Sequence, residues 1–188
     1  MAIRLIGLDP GLRRTGWGVI EVKGNSLVHV ASGAVTSTAS LPLSERLSQL
    51  FDSLTGILDL HAPAEAAVEE TFVNKNPAST LKLGQARGAV MLAPAQAGIP
   101  VAEYSANLIK KSLVGNGHAD KNQVQTMVGI LLPGAKPETA DAADALAIAI
   151  AALHGGQLAT DTGADENGLS RAIAAALARD AGSRGGAT

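Results

Sequence analysis

The chain has 188 residues, a formal net charge of −2 and 46% hydrophobic residues, with one Trp, one Tyr, two Phe and no Cys. This composition predicts one domain with a largely aliphatic core, and it excludes disulfide bonds and thiolate metal sites. Because Gly, Pro or charged residues break every apolar run within about a dozen positions and no signal peptide is visible, we expect a cytoplasmic protein without a membrane span.

The first third of the chain predicts an antiparallel meander followed by a helix. Short apolar or alternating runs separated by turn residues indicate three strands. We assign these strands to 3–8, 16–22 and 27–35. Leucine and isoleucine then recur at helical spacing over 42–61, which predicts a helix.

The following segments alternate between strand and helix patterns. We assign strands to 66–70 and 100–104, and helices to 77–97, 105–114, 120–132 and 138–153. Pro94 should kink or end the second helix, and the pair Gly155 and Gly156 should close the last one. A meander followed by such units predicts an α/β fold with a five-stranded mixed sheet and helices on both faces.

The C-terminal segment 155–188 differs in composition, since it is rich in Ala, Gly, Asp, Thr and Ser. We expect a folded domain over 1–154 and a flexible tail over 155–188, with one short amphipathic helix at 169–178.

The overall acidic charge does not exclude a polyanionic substrate. Residues 1–154 contain 12 Lys and Arg against 13 Asp and Glu, and four of those acids are candidate metal ligands. If bound cations neutralise these four, the remaining surface carries a net charge of +3 and permits contact with nucleic acid.

Four carboxylates in three distant segments are the main functional signal. Asp9 and Glu69 stand at predicted strand ends, while Asp141 and Asp144 share one face of the last helix. Strand ends and a helix start can converge, and carboxylates that converge repel each other unless a cation lies between them. Oxygen ligands select hard ions such as Mg²⁺ or Mn²⁺. Acidic residues gathered around such ions are the usual site for phosphodiester hydrolysis.

Each of these residues has an ordinary explanation when it is taken alone. Asp-Pro-Gly at 9–11 is common turn chemistry, acids in a first helical turn favour the helix dipole, and a Glu at a strand end is often a surface residue. Glu69 and Glu70 alternate, so one of them should point inward and the other outward.

Several cations and one aromatic residue accompany the acids. Lys110, Lys111 and Lys121 lie on the two helices after the fifth strand, where lysines usually face solvent but could also meet a phosphate. Phe72 is either a core residue that caps its strand or an exposed wedge that stacks on bases.

Six segments, in order over residues 1–154, resemble the RuvC family of Holliday-junction resolvases. They are Gly-Leu-Asp-Pro-Gly at 7–11, Val-Glu-Glu-Thr-Phe at 68–72, Leu-Lys-Leu-Gly-Gln-Ala-Arg-Gly at 81–88, Lys-Lys-Ser-Leu-Val-Gly at 110–115, Asp-Lys-Asn-Gln-Val-Gln at 120–125 and Ala-Asp-Ala-Ala-Asp-Ala-Leu-Ala at 140–147. The resemblance implies a ribonuclease H-like fold and an endonuclease that nicks four-way DNA junctions in recombination and repair.

The resemblance also assigns roles to individual residues. It implies two Mg²⁺ ions per subunit, with Mn²⁺ as a substitute. The metal ligands would be Asp9, Glu69, Asp141 and Asp144, the first of them bridging both ions. Lys110 and Lys121 would act on the phosphate as further catalytic residues. We expect DNA contacts from Phe72, Lys75, Lys82, Arg87 and Lys111.

The implied partners are junction DNA, a second copy of the chain joined through the helix 77–97, and the RuvA–RuvB branch-migration complex. Hydrolysis would leave a 5′-phosphate and a 3′-hydroxyl. Three alternatives remain at this point: a related nuclease for RNA or duplex DNA, a non-catalytic junction-binding protein, and an actin-like nucleotide-binding domain, for which the chain is short.

Overall fold

The fold is built on one five-stranded sheet. The computed structural model describes residues 2–24, 26–70 and 76–161, of which 154–161 are described as helical backbone. The strands are β1 (Ile3–Asp9), β2 (Arg14–Lys23), β3 (Ser26–Thr36), β4 (Glu65–Glu69) and β5 (Val101–Tyr104). They lie in the order β3-β2-β1-β4-β5, with antiparallel pairs among the first three and parallel pairs from β1 to β4 and β5. The predicted mixed sheet is confirmed.

Helices cover both faces of this sheet. They are α1 (Leu43–His61), α2 (Pro77–Gln96), α3 (Ala106–Val114), α4 (Lys121–Leu131) and α5 (Ala140–Asp161). Side chains alternate along each strand, so Ile6 and Leu8 pack with α1 and α2, whereas Leu5 and Ala67 pack with α3, α4 and α5. None of the helices in the described part of the chain has the length and apolar character that crossing a membrane requires.

Most predicted boundaries agree with the structure to within two residues, because local capping signals mark them. Ser105 accepts a hydrogen bond from Leu108 N at the start of α3. Asp120 and Gln123 form a reciprocal capping box that starts α4. Pro94 lies in the last turn of α2, which ends at Gln96 as the proline predicted.

The limits of α5 correct the prediction at both ends. The helix begins at Ala140, where Thr139 Oγ1 accepts a hydrogen bond from Ala142 N at 3.1 Å. It continues past Gly155 and Gly156 to Asp161, so the prediction that these glycines close it was wrong. A glycine disfavours a helix by about 1 kcal/mol relative to Ala but, unlike proline, does not remove a backbone donor. The predicted helix at 169–178 lies outside the described residues.

Three glycines allow α5 to lie directly on the backbone of the sheet. Gly7 on β1 faces Gly18 on β2, and Gly16 follows on the same face. A Cβ added at Gly7 would overlap the Ala145 carbonyl oxygen and lie 2.6 Å from Ala149 N. Larger side chains would therefore hold the helix away from β1 and β2.

One acid is buried on the same face, away from the strand ends that carry the candidate ligands. Glu65 is 1% exposed, and neither of its carboxylate oxygens has a hydrogen-bond partner in the described part of the chain. Burial raises the pKa of Glu65 to about 7. The Tyr104 phenol is its one recorded electrostatic neighbour among the described residues, and burial, followed by the charge of Glu65, raises the pKa of Tyr104 to about 12.

We predict that Gly7→Ala lowers the free energy of unfolding by about 3 kcal/mol, the upper range for overpacked cores, because the new methyl group meets helix backbone that cannot rotate away. Urea unfolding followed by circular dichroism measures this. Gly56→Ala is the matched control, since the exposed Gly56 of α1 has open space at its Cβ position. It should raise stability by about 0.5–1 kcal/mol. Equal effects at both positions would contradict the close approach of α5.

We also predict that Glu65→Gln changes how stability depends on pH. The folded-state pKa of Glu65 lies above its unfolded value of about 4.5. Folding favours the protonated form of Glu65. The stability that this carboxyl group contributes is therefore fully present below pH 4.5 and is lost as the pH rises to about 7. Between pH 4.5 and 7.5, the free energy of unfolding of the wild type should fall by about 3 kcal/mol relative to that of the variant. Urea unfolding of both proteins over this range tests it, and parallel pH profiles would disprove it.

Candidate metal centre

Two of the four carboxylates end adjacent parallel strands. Asp9 is the last residue of β1 and Glu69 is the last residue of β4, and the pairing Leu8 with Val68 directly precedes them. Both side chains fall on the face that α5 covers, because residues two positions earlier contact that helix or its core. Glu69 lines a cavity, whereas Glu70 is exposed, as the predicted alternation requires.

The other two carboxylates come from the first turns of α5. A Cβ at Gly16 would overlap the Asp141 carbonyl oxygen, and Gly16 is the register partner of Asp9. The start of α5 therefore lies against the end of β1. Asp144 follows one turn later and lines the same cavity as Glu69. The structure thus places all four predicted ligands near the adjacent ends of β1 and β4.

The four carboxylates are near enough for their charges to affect one another. The pKa of Asp9 rises from an ordinary value near 4 to about 7. Burial is the largest cause, and the negative charge of Glu69 is the second. Asp144 and Asp141 raise this pKa further, while the ammonium group of Lys121 lowers it. Asp9 is therefore at the centre of the acidic group.

Glu69 responds to the same surroundings. Burial and then the charge of Asp144 raise its pKa, whereas Lys110 and Lys121 lower it. The two lysines are thus close enough to Glu69 to offset part of the repulsion.

Two cations form direct ion pairs with the acids of α5. Lys121 Nζ lies 2.7 Å from Asp144 Oδ2, and Arg14 Nη1 lies 3.2 Å from Asp141 Oδ2. The hydrogen bond to Asp144 is the main reason that the pKa of Lys121 is raised. Lys121 is the first residue of α4, so the capping box at Asp120 fixes the start of the helix that carries it.

A cavity of about 280 Å³ opens beside these residues. Its polar wall is formed by Glu69, Lys110, Lys121 and Asp144. Its apolar wall is formed by Ala106, Ile109, Val124, Ala147 and Ile148. A negatively charged group entering this cavity would meet two ammonium groups next to the carboxylates.

The donor set fits hard divalent cations. It consists of carboxylate oxygens alone, and Asp9 has no hydrogen-bond donor among the described residues to offset its burial and repulsion. Within the described ranges, no three acidic or histidine side chains are arranged so that together they could hold a metal ion. This is consistent with Asp141 and Asp144 being turned toward Arg14 and Lys121. Metal binding would require these carboxylates to exchange their cation partners.

A hydrogen-bond network fixes the loop that follows Asp9. The fully buried Thr15 hydroxyl donates to Gly11 O and accepts from Gly11 N. Ser37 Oγ donates to Leu12 O, and Arg46 of α1 donates to Ser37 Oγ at 3.0 Å. The Asp-Pro-Gly turn is therefore held from both sides, which limits the movement of Asp9.

The residues predicted to contact DNA lie in different surroundings from one another. Lys82 on α2 and Lys111 on α3 are exposed. Arg87 is directed toward the sheet, where its Nε donates to the backbone carbonyl of Glu69 at 3.3 Å and its Nη2 to the Glu103 carboxylate. It supports the strand end that carries Glu69. Phe72 and Lys75 lie outside the described residues.

Sequence reasoning did not identify Arg14, Thr15 or the three glycines as part of the site. The alternating glycines on β2, opposite Gly7 on β1, were the available signal for a closely packed helix. For Arg14 the signal was its two-residue spacing from Gly16, which places both on the α5 face.

Comparisons with known proteins agree with this geometry. A family model described as crossover junction endodeoxyribonuclease RuvC matches residues 5–152. RuvC of Afipia carboxidovorans is 64% identical over 152 residues, covering 81% of this chain and 89% of that protein. RuvC of Rhodospirillum rubrum is also 64% identical over 152 residues, covering 81% and 90%.

Solved structures extend the comparison to three dimensions. T. thermophilus RuvC in complex with Holliday junction substrate superposes with a TM-score of 0.79 at 33% identity, covering 84% of this chain and 97% of that chain. The yeast mitochondrial Holliday junction resolvase Ydc2 has a TM-score of 0.57 at 14% identity, which shows a shared fold. These matches confirm the ribonuclease H-like fold. The family model, the relatives and the structural match together show that the chain belongs to the RuvC family of crossover junction endodeoxyribonucleases.

Proposed function

We propose that this chain is a structure-selective endonuclease that resolves four-way DNA junctions by paired, symmetric nicks. The observation that carries the proposal is the grouping of Glu69, Asp141 and Asp144 around the buried Asp9, in a member of the RuvC family; burial and then the charges of these three acids raise the pKa of Asp9 to about 7. A site with this concentration of negative charge is suited to divalent cations and, through them, to phosphodiester hydrolysis.

The family implies dependence on a divalent metal, and we propose two Mg²⁺ ions per subunit, for which Mn²⁺ can substitute. Asp9, Glu69, Asp141 and Asp144 would hold them, with Asp9 shared between both. When bound, such ions activate the attacking water and stabilise the charge that develops on the departing 3′ oxygen. The products would carry a 5′-phosphate and a 3′-hydroxyl.

The chain's own cations would act on the phosphate. Lys110 and Lys121 reach the cavity wall beside Glu69 and Asp144, so they present positive charge where the transition state is negative. Lys121 is more than half exposed, and it can exchange its carboxylate partner for a phosphate oxygen without leaving a buried charge.

The symmetry of the substrate favours a homodimer. A two-fold dimer offers two equivalent sites to two related strands of the junction. Helix α2 is our candidate for the contact, because Leu81 and Leu92 lie on one side of it and are 66% and 50% exposed. We further propose docking to the RuvA–RuvB complex, and DNA contacts from Phe72, Lys75, Lys82, Arg87 and Lys111.

We predict that Asp9→Asn abolishes junction cleavage and preserves junction binding. The change removes the ligand on which the other three carboxylates converge, and a loss of several kcal/mol of metal-dependent stabilisation corresponds to about 10³-fold or more in rate. End-labelled mobile junction, linear duplex and RNA–DNA hybrid would be incubated with each protein, with and without Mg²⁺.

The matched control is Asp59→Asn, which removes an equal charge from the exposed surface of α1. It should cleave as the wild type does. Symmetric nicks in the junction alone support the proposal. Cutting of the duplex or hybrid instead would assign a different nuclease of this fold, and binding without cutting in either Mg²⁺ or Mn²⁺ would indicate a non-catalytic protein.

A second prediction concerns the pH dependence of metal binding. Because the pKa of Asp9 is raised to about 7, protons compete with the metal below that pH. The affinity for Mn²⁺ should fall by up to about tenfold for each pH unit below 7 and should level off above it. Titration calorimetry without DNA at pH 6, 7 and 8, in two buffers of different protonation enthalpy, measures both affinity and proton release. An affinity that is constant over this range would refute the prediction.

A further inference from the structure

Arg14 stands beside the carboxylates on the side opposite the lysines. It is the first residue of β2, and strand alternation puts it on the same face as Gly16 and Gly18, toward α5. Because Gly16 pairs with Asp9 and touches the backbone of Asp141, the base of the Arg14 side chain is fixed next to the site.

The contact that Arg14 makes is easily exchanged. Its Nη1 lies 3.2 Å from Asp141 Oδ2, with side chains that are 51% and 34% exposed. Ion pairs this exposed contribute little to stability. A guanidinium has five N–H donors, and among the described residues Asp141 is its one recorded side-chain partner. Most of its donors therefore face solvent at the edge of the site.

The cations thus flank the acidic group on two sides. Lys110 and Lys121 approach from α3 and α4 and line the cavity, whereas Arg14 approaches from β2. A DNA strand whose scissile phosphate sits over the carboxylates would place a flanking phosphate toward each side. Arginine suits such a position because its planar fork binds phosphate oxygens in pairs.

We propose that Arg14 is a substrate-positioning residue, which binds a backbone phosphate next to the scissile one on the β2 side and releases Asp141 to the divalent cation as it does so. This inference rests on the proposed function. Arg14 would therefore weaken metal binding in the absence of DNA, because it competes for Asp141, and would strengthen DNA binding, because it contacts a phosphate.

The variant Arg14→Gln separates these consequences. Without DNA, it should bind Mn²⁺ about two- to fivefold more tightly, because a cation that competes for Asp141 is gone. With DNA, it should bind the junction about tenfold more weakly, because one charge-assisted contact to a phosphate is lost. The slope of the logarithm of the binding constant against that of the salt concentration should be shallower by about 0.9.

The experiment measures Mn²⁺ binding by electron paramagnetic resonance without DNA, and junction binding by fluorescence anisotropy at several salt concentrations. Anisotropy is measured in EDTA and in Ca²⁺, with strand integrity checked on a denaturing gel. Lys23→Gln is the matched control, because it removes one charge and one surface ion pair from the far end of the same strand. Arg14→Lys should restore the salt slope and only part of the affinity.

The proposal is supported if Arg14→Gln binds Mn²⁺ more tightly and the junction more weakly, and if this loss of junction affinity is larger in Ca²⁺ than in EDTA. A salt slope for Arg14→Gln equal to that of the wild type overturns it, as does a parallel loss of metal and junction binding, which would indicate that Arg14 only shapes the site. If the wild-type chain binds no junction in any condition, the proposed function itself fails, and the Mn²⁺ measurement then still reports whether Arg14 competes for Asp141.

Discussion

The site depends on the direct contact between α5 and the backbones of β1 and β2. At Gly7 and Gly16 the backbone of the sheet lies against the backbone of the helix, and Gly18 leaves room for the Leu146 side chain of α5. This contact carries the first turn of α5 to the end of β1, where Asp9 stands. Interiors packed at this density do not deform smoothly, so the position of Asp141 and Asp144 is set by the core rather than by their own interactions.

That rigidity makes the accumulation of negative charge possible. Four carboxylates held near one another raise the free energy of the folded chain, and the pKa of Asp9 is raised by its burial first and by the charges of the other three second. Buried aliphatic packing and the hydrogen-bonded turn after Asp9 keep the acids in place despite their repulsion. The same repulsion favours the binding of any divalent cation that can neutralise the carboxylates, even before substrate binds.

The sequence was sufficient for the order of strands and helices, since local periodicity and turn residues define the elements. It also singled out four acids that the structure places near the adjacent ends of β1 and β4. It was insufficient where tertiary contact decides the outcome. Glu65 lay just outside its predicted strand, yet the covering helices leave it 1% exposed. The partners of Arg14 and Arg87 also depend on register and helix placement, which single-sequence patterns do not contain. For Arg87 in particular, the structure adds hydrogen bonds to the end of the strand that carries Glu69, which the sequence did not predict.

In the proposed mechanism, metal and DNA binding are coupled by the ion pairs at the acids of α5. In the structure Asp141 holds Arg14 and Asp144 holds Lys121, so each ligand is occupied by a cation that phosphate also attracts. A divalent ion that took these carboxylates would free both side chains for the DNA backbone, and DNA that took the side chains would free both carboxylates for metal. Under this mechanism, linkage requires that metal and DNA each strengthen the binding of the other by the same factor. The ion pairs therefore limit binding of either ligand alone and favour the assembly in which both are present.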